Sequence, residues 1–443
     1  MSSYAERRAR VLRQMHEKGG GVAILPTARE VMRNADADFP YRHDSSFYYL
    51  TGFTEPEAVL VLVAGKTDQS ILFCREKNEE REIWDGYRHG PEAARETFGF
   101  DAACAVSQLD AEMAKLLADA PAVFYALGAD PALDEHVRRW LDGVRAQARS
   151  GVSAPSAAFD LRGMLNEMRL VKDAGEIAIM QRAADIASAA HVRAMKLAQP
   201  GRREYELEAE LLHEFRRNGS QYPAYGSIVA TGNNACVLHY RASDAVLKDG
   251  DLVLIDAGCE LDSYASDITR TFPANGRFSP AQRELYEIVL AAQQAAIAAT
   301  APGRHFMEGH DAAVKVLAQG MLDTGLLDKD KVGSFDDVIA KGDYRKFYMH
   351  RTGHWLGMDV HDVGDYRERE AQGTEKPWRQ LQPGMVLTVE PGIYVRPAPG
   401  VPDQYWNIGI RIEDDAVVTQ TGCEILTRNA PKSIDDIEAL MRQ

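Results

Sequence analysis

GDLVLIDAGCELDSYASDITRTFP (residues 250–273) is the stretch on which the fold turns. Leu252 to Ile255 are all apolar, so the run reads as a buried strand, and it ends on a carboxylate, Asp256. Gly258 and Asp262 are turn signals, and a second carboxylate, Asp267, returns across that hairpin eleven residues later. Two more stretches repeat the pattern. Glu390 closes the apolar run 385–389 ahead of the turn Pro391-Gly392. Glu413 ends Ile408-Gly-Ile-Arg-Ile-Glu, where Arg411 shares its face of the strand by the period of two. An unpaired buried carboxylate is costly and requires a cation, a hydrogen-bond donor or a proton. One alone is usually a strand-end residue with a local partner. Four together, each closing or interrupting a buried strand, point to a shared metal site.

His354 supplies a nitrogen ligand. It lies in FYMHRTGHWLGMDVHD (347–362), where three of the chain's 12 histidines, His350, His354 and His361, fall within twelve residues. Gly353 and Gly357 argue for irregular backbone there rather than a helix. Four carboxylates carry −4, which two divalent cations balance and one does not. An oxygen-rich site with a single imidazole suits Mn²⁺, Co²⁺, Fe²⁺ or Zn²⁺ rather than a closed structural zinc. Two such ions share a hydroxide, because bound water falls from pKa 15.7 to about 7, and the natural product is metal-assisted hydrolysis. His213-Glu214-Phe-Arg-Arg217 lacks the second histidine of a zincin helix.

The rest of the 443 residues frames this site. With 51 Lys+Arg against 66 Asp+Glu the net charge is −15, which argues against nucleic acid as a partner. The longest apolar run, 58–65, is too short to cross a membrane, and the start, MSSYAERRARVLRQM, has no secretory core. Five scattered cysteines without a Cys-x-x-Cys pair read as a reduced, cytoplasmic protein. GVAILP (21–26), EAVLVLV (57–63), SILF (70–73) and AVFYAL (122–127) read as strands, with helices over 4–18, 92–98, 108–119 and 131–147. Gly19-Gly20-Gly21 precedes a strand, so it reads as a helix cap and turn rather than a phosphate loop. The expected domains are an α/β unit over 1–170 and an α+β unit over 171–443. The second opens on the capping box Asp173…Glu176. In it, helices followed by strand clusters (226–273 and 350–425) occur twice, which suggests two pseudo-related halves without a legible sequence repeat.

The ordered set Asp256, Asp267, His354, Glu390 and Glu413 resembles the five-ligand pattern of the pita-bread metallopeptidases. Within that group the aminopeptidase P (Xaa-Pro aminopeptidase) branch is the nearest match. The stretches that carry the resemblance are 41–62, 250–273, 354–364, 383–395 and 409–415, so it spans nearly the whole chain. It implies a pita-bread catalytic domain behind an aminopeptidase P type N-terminal domain. It also implies two divalent ions, Mn²⁺ first, with Asp256 held by one metal, Asp267 and Glu413 bridging, and His354 and Glu390 on the other. Glu390 would also move the protons, His361 would steady the oxyanion, and His239 and His350 would line the pocket. Arg411 and Tyr394 match supporting pocket residues, and Trp84 matches a tryptophan that reaches a neighbouring subunit's site in a homo-oligomer, a tetramer ahead of a dimer. The loop GDYREREAQGTEKPWRQLQ (364–382) is longer than the family pattern, and either Arg367 or Arg369 is a candidate for a pocket-closing arginine.

The implied reaction is hydrolysis of the N-terminal Xaa-Pro bond of peptides with proline second. Two alternatives stand beside it. One is prolidase, which shares the five ligands but takes dipeptides; the other is a non-catalytic peptide-binding module of the same fold, against which all five ligands stand.

Overall fold

The structure, a computed structural model, describes residues 3–370 and 375–443. The chain divides into two units, Met1–Met168 and Arg169–Gln443. In the first unit, helix α1 (Ser3–Glu17) ends where Gly19 and Gly20 adopt φ of +94° and +84°. Their N–H groups donate back to the carbonyls of His16 and Met15, both at 2.9 Å, so the glycines do cap the helix. The strands of its main sheet are β1 (Gly21–Pro26), β2 (Val59–Ala64), β3 (Gln69–Cys74), β4 (Ala102–Ala105), β5 (Ala122–Tyr125) and β6 (Ala157–Asp160). They form one sheet in the order β4-β3-β2-β1-β5-β6. The pairs β1–β2 and β2–β3 are antiparallel, and the outer pairs are parallel. Parallel neighbours require a crossover, and helix α2 (Pro131–Arg145) provides it between β5 and β6. Asp130 caps α2 by accepting from the Ala132 N–H at 2.9 Å, and Leu133, Val137, Trp140 and Val144 bury one helical stripe.

The strands β1, β2, β3 and β5 coincide with the apolar runs of the sequence. The strands β4 and β6 do not stand out there because they are short and Ala-rich, and alanine carries little strand preference. They form because a parallel neighbour is already in place.

In the second unit, helix α3 (Ala174–Leu197) begins on the expected capping box, with Asp173 and Glu176 bonding each other's backbone at 2.9 Å. Helix α4 (Glu204–Arg217) follows. The first strand cluster is β7 (Ile228–Thr231), β8 (Leu252–Asp256), β9 (Cys259–Leu261), β10 (Tyr264–Ala265) and β11 (Thr269–Pro273). Helices α5 (Pro280–Ala299) and α6 (Phe306–Asp323) then precede β12 (Val386–Val389), β13 (Gly392–Val395), β14 (Ile408–Arg411), β15 (Asp414–Val418) and β16 (Cys423–Ile425). The helix-then-strand order thus occurs twice, as an α+β unit. Ala183, Ala187, Ala190 and Ala194 are fully buried along α3. Their small side chains let the strands approach closely, so that the Cys259 thiol reaches the Ala183 carbonyl at 3.3 Å.

Two glycines bring the distant strand ends together. A Cβ on Gly258 would meet the Ser266 carbonyl oxygen at 1.7 Å, so only glycine lets the hairpin fold back and set Asp267 beside Asp256. A Cβ on Gly353 would meet the Thr388 carbonyl oxygen at 2.0 Å. Without it the 353–354 segment lies on β12, where the Thr388 N–H donates to the His354 carbonyl at 2.9 Å. The turn of the β9–β10 hairpin runs through Asp262 and Ser263, both at positive φ, as a tight hairpin requires.

Arg270 ties the two strand clusters. Its side chain is fully buried and donates to the carbonyls of Thr269 (3.0 Å), Glu413 (2.5 Å), Ala430 (2.9 Å) and Pro431 (3.0 Å) and to Asp414 Oδ1 (2.7 Å). Asp414, also buried, takes further bonds from Thr427, Gln293 and Lys432. Removing one partner of such a buried pair leaves the other charge uncompensated, a loss of about 3–5 kcal/mol. Arg270→Met is therefore expected to lower the urea midpoint strongly. Arg428→Ala, which breaks only a half-exposed pair with Glu424, should leave it in place. Equal midpoints for the two variants in denaturant titration would remove Arg270 from its central role.

Candidate active site

The strand ends described above converge on one cavity of about 540 Å³, lined by Asp256, Asp267, His354, Glu390 and Glu413. Asp256 is the last residue of β8, paired across from Ile228 and Thr269. Asp267 sits between β10 and β11, Glu390 between β12 and β13, and Glu413 between β14 and β15. Ligand atoms of Asp267, His354 and Glu413 lie within 4.8 Å of one another. His354 Nε2 is 3.4 Å from Asp267 and 3.9 Å from Glu390. Its Nδ1 lies 3.0 Å from the Trp355 carbonyl, which can only accept, so Nδ1 carries a proton and Nε2 is presented to the cluster.

A second layer holds these groups in place. The Tyr225 hydroxyl reaches Asp256 at 2.6 Å and also contacts Asp267. Arg411 donates through Nη2 to Asp256 (2.5 Å), through Nε to Thr269 (3.0 Å) and through Nη1 to Tyr394 (3.1 Å). Thr269 in turn donates to Glu413 at 2.6 Å, and the Asp267 N–H donates to Asp415 at 3.0 Å. Arg411 and Glu413 thus line the same cavity, in keeping with the period of two. Tyr394 lies 2.8 Å from His350 Nε2, and His350 Nδ1 lies 2.7 Å from the Arg351 carbonyl. Arg411, Tyr394 and His350 thus form one hydrogen-bonded chain, with Arg411 and His350 on the cavity wall.

The electrostatics are those of crowded carboxylates whose charge Arg411 and His354 offset only in part. Burial raises Glu390 to about 7, with His354 and Arg411 pulling down and Asp267 and Asp256 adding to the rise. Burial and its acidic neighbours also raise Asp267 and lift Glu413 well above the usual range. Burial disfavours a charged His354, yet its hydrogen bond to Asp267 and the charges of Asp267 and Glu390 prevail and raise it to about 9. Burial and Arg411 push His350 down to about 3, so its ring is neutral. The oxygen donors of the cluster, with one imidazole, fit a hard or borderline divalent ion.

His361 and His239 both line the cavity, and the His361 ring packs edge-on against His354 with centroids 4.3 Å apart. The backbone under His361 is pinned by Asp362, which is buried and takes bonds from Arg169 (2.6 Å) and Lys172 (2.9 Å). Trp84 is elsewhere: it lies in the first unit on the helix Glu79–Asp85, 81% exposed, and does not line the cavity. In the long loop, Arg367 stacks over Trp378 at 3.8 Å and Arg369 bonds Asp365 at 3.1 Å. Neither lines the cavity, and residues 371–374 of that loop lie outside the described residues. Sequence reasoning missed Tyr225, Thr269, Arg241 and Arg351. Tyr225 and Thr269 are ordinary strand and loop residues in sequence, and only the register beside Asp256 and Glu413 gives them a role.

Residues 178–420 match Metallopeptidase family M24, and residues 4–125 match the Aminopeptidase P, N-terminal domain. The Xaa-Pro aminopeptidase of Escherichia coli (strain K12) is 45% identical over 440 residues, covering 99% of this chain and 97% of that protein. Among solved structures, aminopeptidase PepP of Pseudomonas aeruginosa superposes with a TM-score of 0.95 at 51% identity, covering 100% of this chain and 98% of that one. A zinc-substituted E. coli aminopeptidase P in complex with product gives 0.94 at 44% identity, covering 99% and 98%. The chain is thus a member of metallopeptidase family M24 in its aminopeptidase P branch, with a pita-bread catalytic unit and the N-terminal domain of that branch.

Proposed function

We propose that the protein is a dinuclear-metal aminopeptidase that releases the first residue of peptides with proline in second position. The observation that carries this reading is the gathering of Asp256, Asp267, His354, Glu390 and Glu413 around one cavity. We assign Asp256 to one ion, His354 and Glu390 to the other, and Asp267 and Glu413 to both. Mn²⁺ is the first candidate, ahead of Co²⁺, Fe²⁺ and Zn²⁺. When bound, the ions supply Lewis acidity and water acidic enough to react near neutral pH.

The chain's own groups account for the rest. Glu390, on the cavity wall 3.9 Å from His354, is assigned the general acid–base role of taking a proton and returning it. Its second task is to deliver that proton to the departing proline nitrogen, which has no hydrogen of its own in the peptide. We assign His361 and His239, both on the cavity wall, the role of donating to the oxygen of the attacked carbonyl. Tyr394 and Arg411 hold neutral His350 at the side of the scissile bond. The free ammonium of the substrate finds the carboxylate cluster.

The identity to the E. coli protein, named for this activity, supports the same reading. No described helix is long and apolar enough to cross a membrane, and all five cysteines are unpaired, in keeping with a reducing compartment such as the cytoplasm. Exposed Ile83, Trp84 and Tyr87 on and beside one short helix fit burial in a homo-oligomer, with Trp84 at a neighbour's site.

Three measurements test this reading. Chelator-stripped protein should lose cleavage of Xaa-Pro-Yaa and regain it with Mn²⁺. Activity confined to Xaa-Pro dipeptides would move the assignment to prolidase, and activity that survives stripping would end the metal assignment. Glu390→Gln should lower kcat by about 10²–10⁴ while the peptide still binds, as measured by steady-state kinetics and calorimetry; an unchanged kcat contradicts its proton role. Sedimentation should give a tetramer, and Trp84→Ala should reduce kcat/KM without altering the unfolding midpoint. A monomer with full activity would refute the shared site.

A further inference from the structure

Three arginines line the catalytic cavity, and they differ in how they are engaged. Arg411 is held by Asp256, Thr269 and Tyr394. Arg241 and Arg351 are exposed and have no carboxylate partner among the described residues. Each follows a cavity histidine closely in sequence, Arg241 after His239 and Arg351 after His350. The guanidinium of Arg241 lies over Gly226, where an added Cβ would come within 2.7 Å of its Nη1. The missing side chain at 226 thus leaves the space the cation fills. Arg351 lies 5.6 Å from the ring centroid of Trp378, an aromatic face that holds a guanidinium without neutralising it.

We propose that Arg241 and Arg351 form a carboxylate-binding rim that selects peptides carrying negative charge one residue beyond the proline. A guanidinium facing water without a partner is matched to a carboxylate by charge and by its planar fork of donors. Neither arginine pairs with the carboxylate cluster, which draws the substrate's ammonium. They therefore lie toward the part of the cavity that receives the remainder of the peptide. The carboxylate they bind is either the C-terminus of a tripeptide or an acidic side chain at the third residue. This inference rests on the proposed peptidase reading and adds to it the class of peptide preferred.

The experiment uses the metal-loaded full chain with Ala-Pro-Ala, Ala-Pro-Ala amide and Ala-Pro-Asp amide. The amide of Ala-Pro-Ala is expected to have a KM on the order of tenfold above the free acid, the scale of one charged hydrogen bond. An aspartate at the third residue should recover part of that loss if side chains are also accepted, and none if only the terminus is read. In the Arg241→Gln/Arg351→Gln variant the gap between acid and amide should close, and added salt should narrow it in the unsubstituted protein. Arg351→Glu should reverse the preference, favouring a third-position lysine. Equal KM values for acid and amide, or a gap that persists in the double variant, would overturn the rim while leaving the peptidase reading intact. Cleavage of none of the three peptides would overturn that underlying reading and the rim with it.

Discussion

Four carboxylates set around one cavity, three of them with proton affinities raised by burial and by one another, are the constraint to which the second unit is built. Such a cluster opposes folding unless charge is returned to it. Each acid stands at or just beyond the end of a strand, where the backbone is already committed to a neighbour and cannot relax away. The ladder that pairs Asp256 with Thr269, and the one that pairs Gly392 with Arg411, thereby fix acids and their donors together. The cost of concentrating negative charge is met in part by Arg411 beside Asp256 and by His354 beside Asp267.

The groups just behind the cluster explain why it keeps its shape. Arg270 donates to the Glu413 carbonyl and to Asp414, the residue that follows, so one buried guanidinium fixes the chain on which a cluster acid is carried. Thr269, its neighbour, points the other way and bonds Glu413 and Arg411. Adjacent residues on β11 thus serve the support and the site, because side chains alternate along a strand. The close backbone contacts at Gly258 and Gly353 complete the arrangement by letting distant segments meet.

Much of this was legible in the sequence, and the reasons are physical. A carboxylate that closes or interrupts a buried-looking strand is anomalous on its face, and that signal marks Asp256, Asp267, Glu390 and Glu413. The capping box at Asp173 and the glycines after α1 were legible because caps depend on local geometry alone. The strands β4 and β6 were not, since they depend on partners supplied by the rest of the sheet. The fine wiring was equally hidden. Nothing in the sequence around Tyr225 distinguishes it from its neighbour Tyr222, and only the fold places its hydroxyl between two acids. Arg241 and Arg351 carry no signal in the sequence for the opposite reason: exposed arginines are common, and only their position on the cavity wall gives them meaning. The arginines of the long loop, Arg367 and Arg369, drew attention by their charge but stand off the cavity.

The proposed chemistry requires this cluster to hold two ions. A crystal of the Mn²⁺-loaded protein, with diffraction recorded at the manganese absorption edge, tests it most directly. Two anomalous peaks are expected, both in contact with Asp267 and Glu413, with Asp256 on one and His354 and Glu390 on the other. A single peak, or peaks that leave Asp267 and Glu413 uncoordinated, would contradict it.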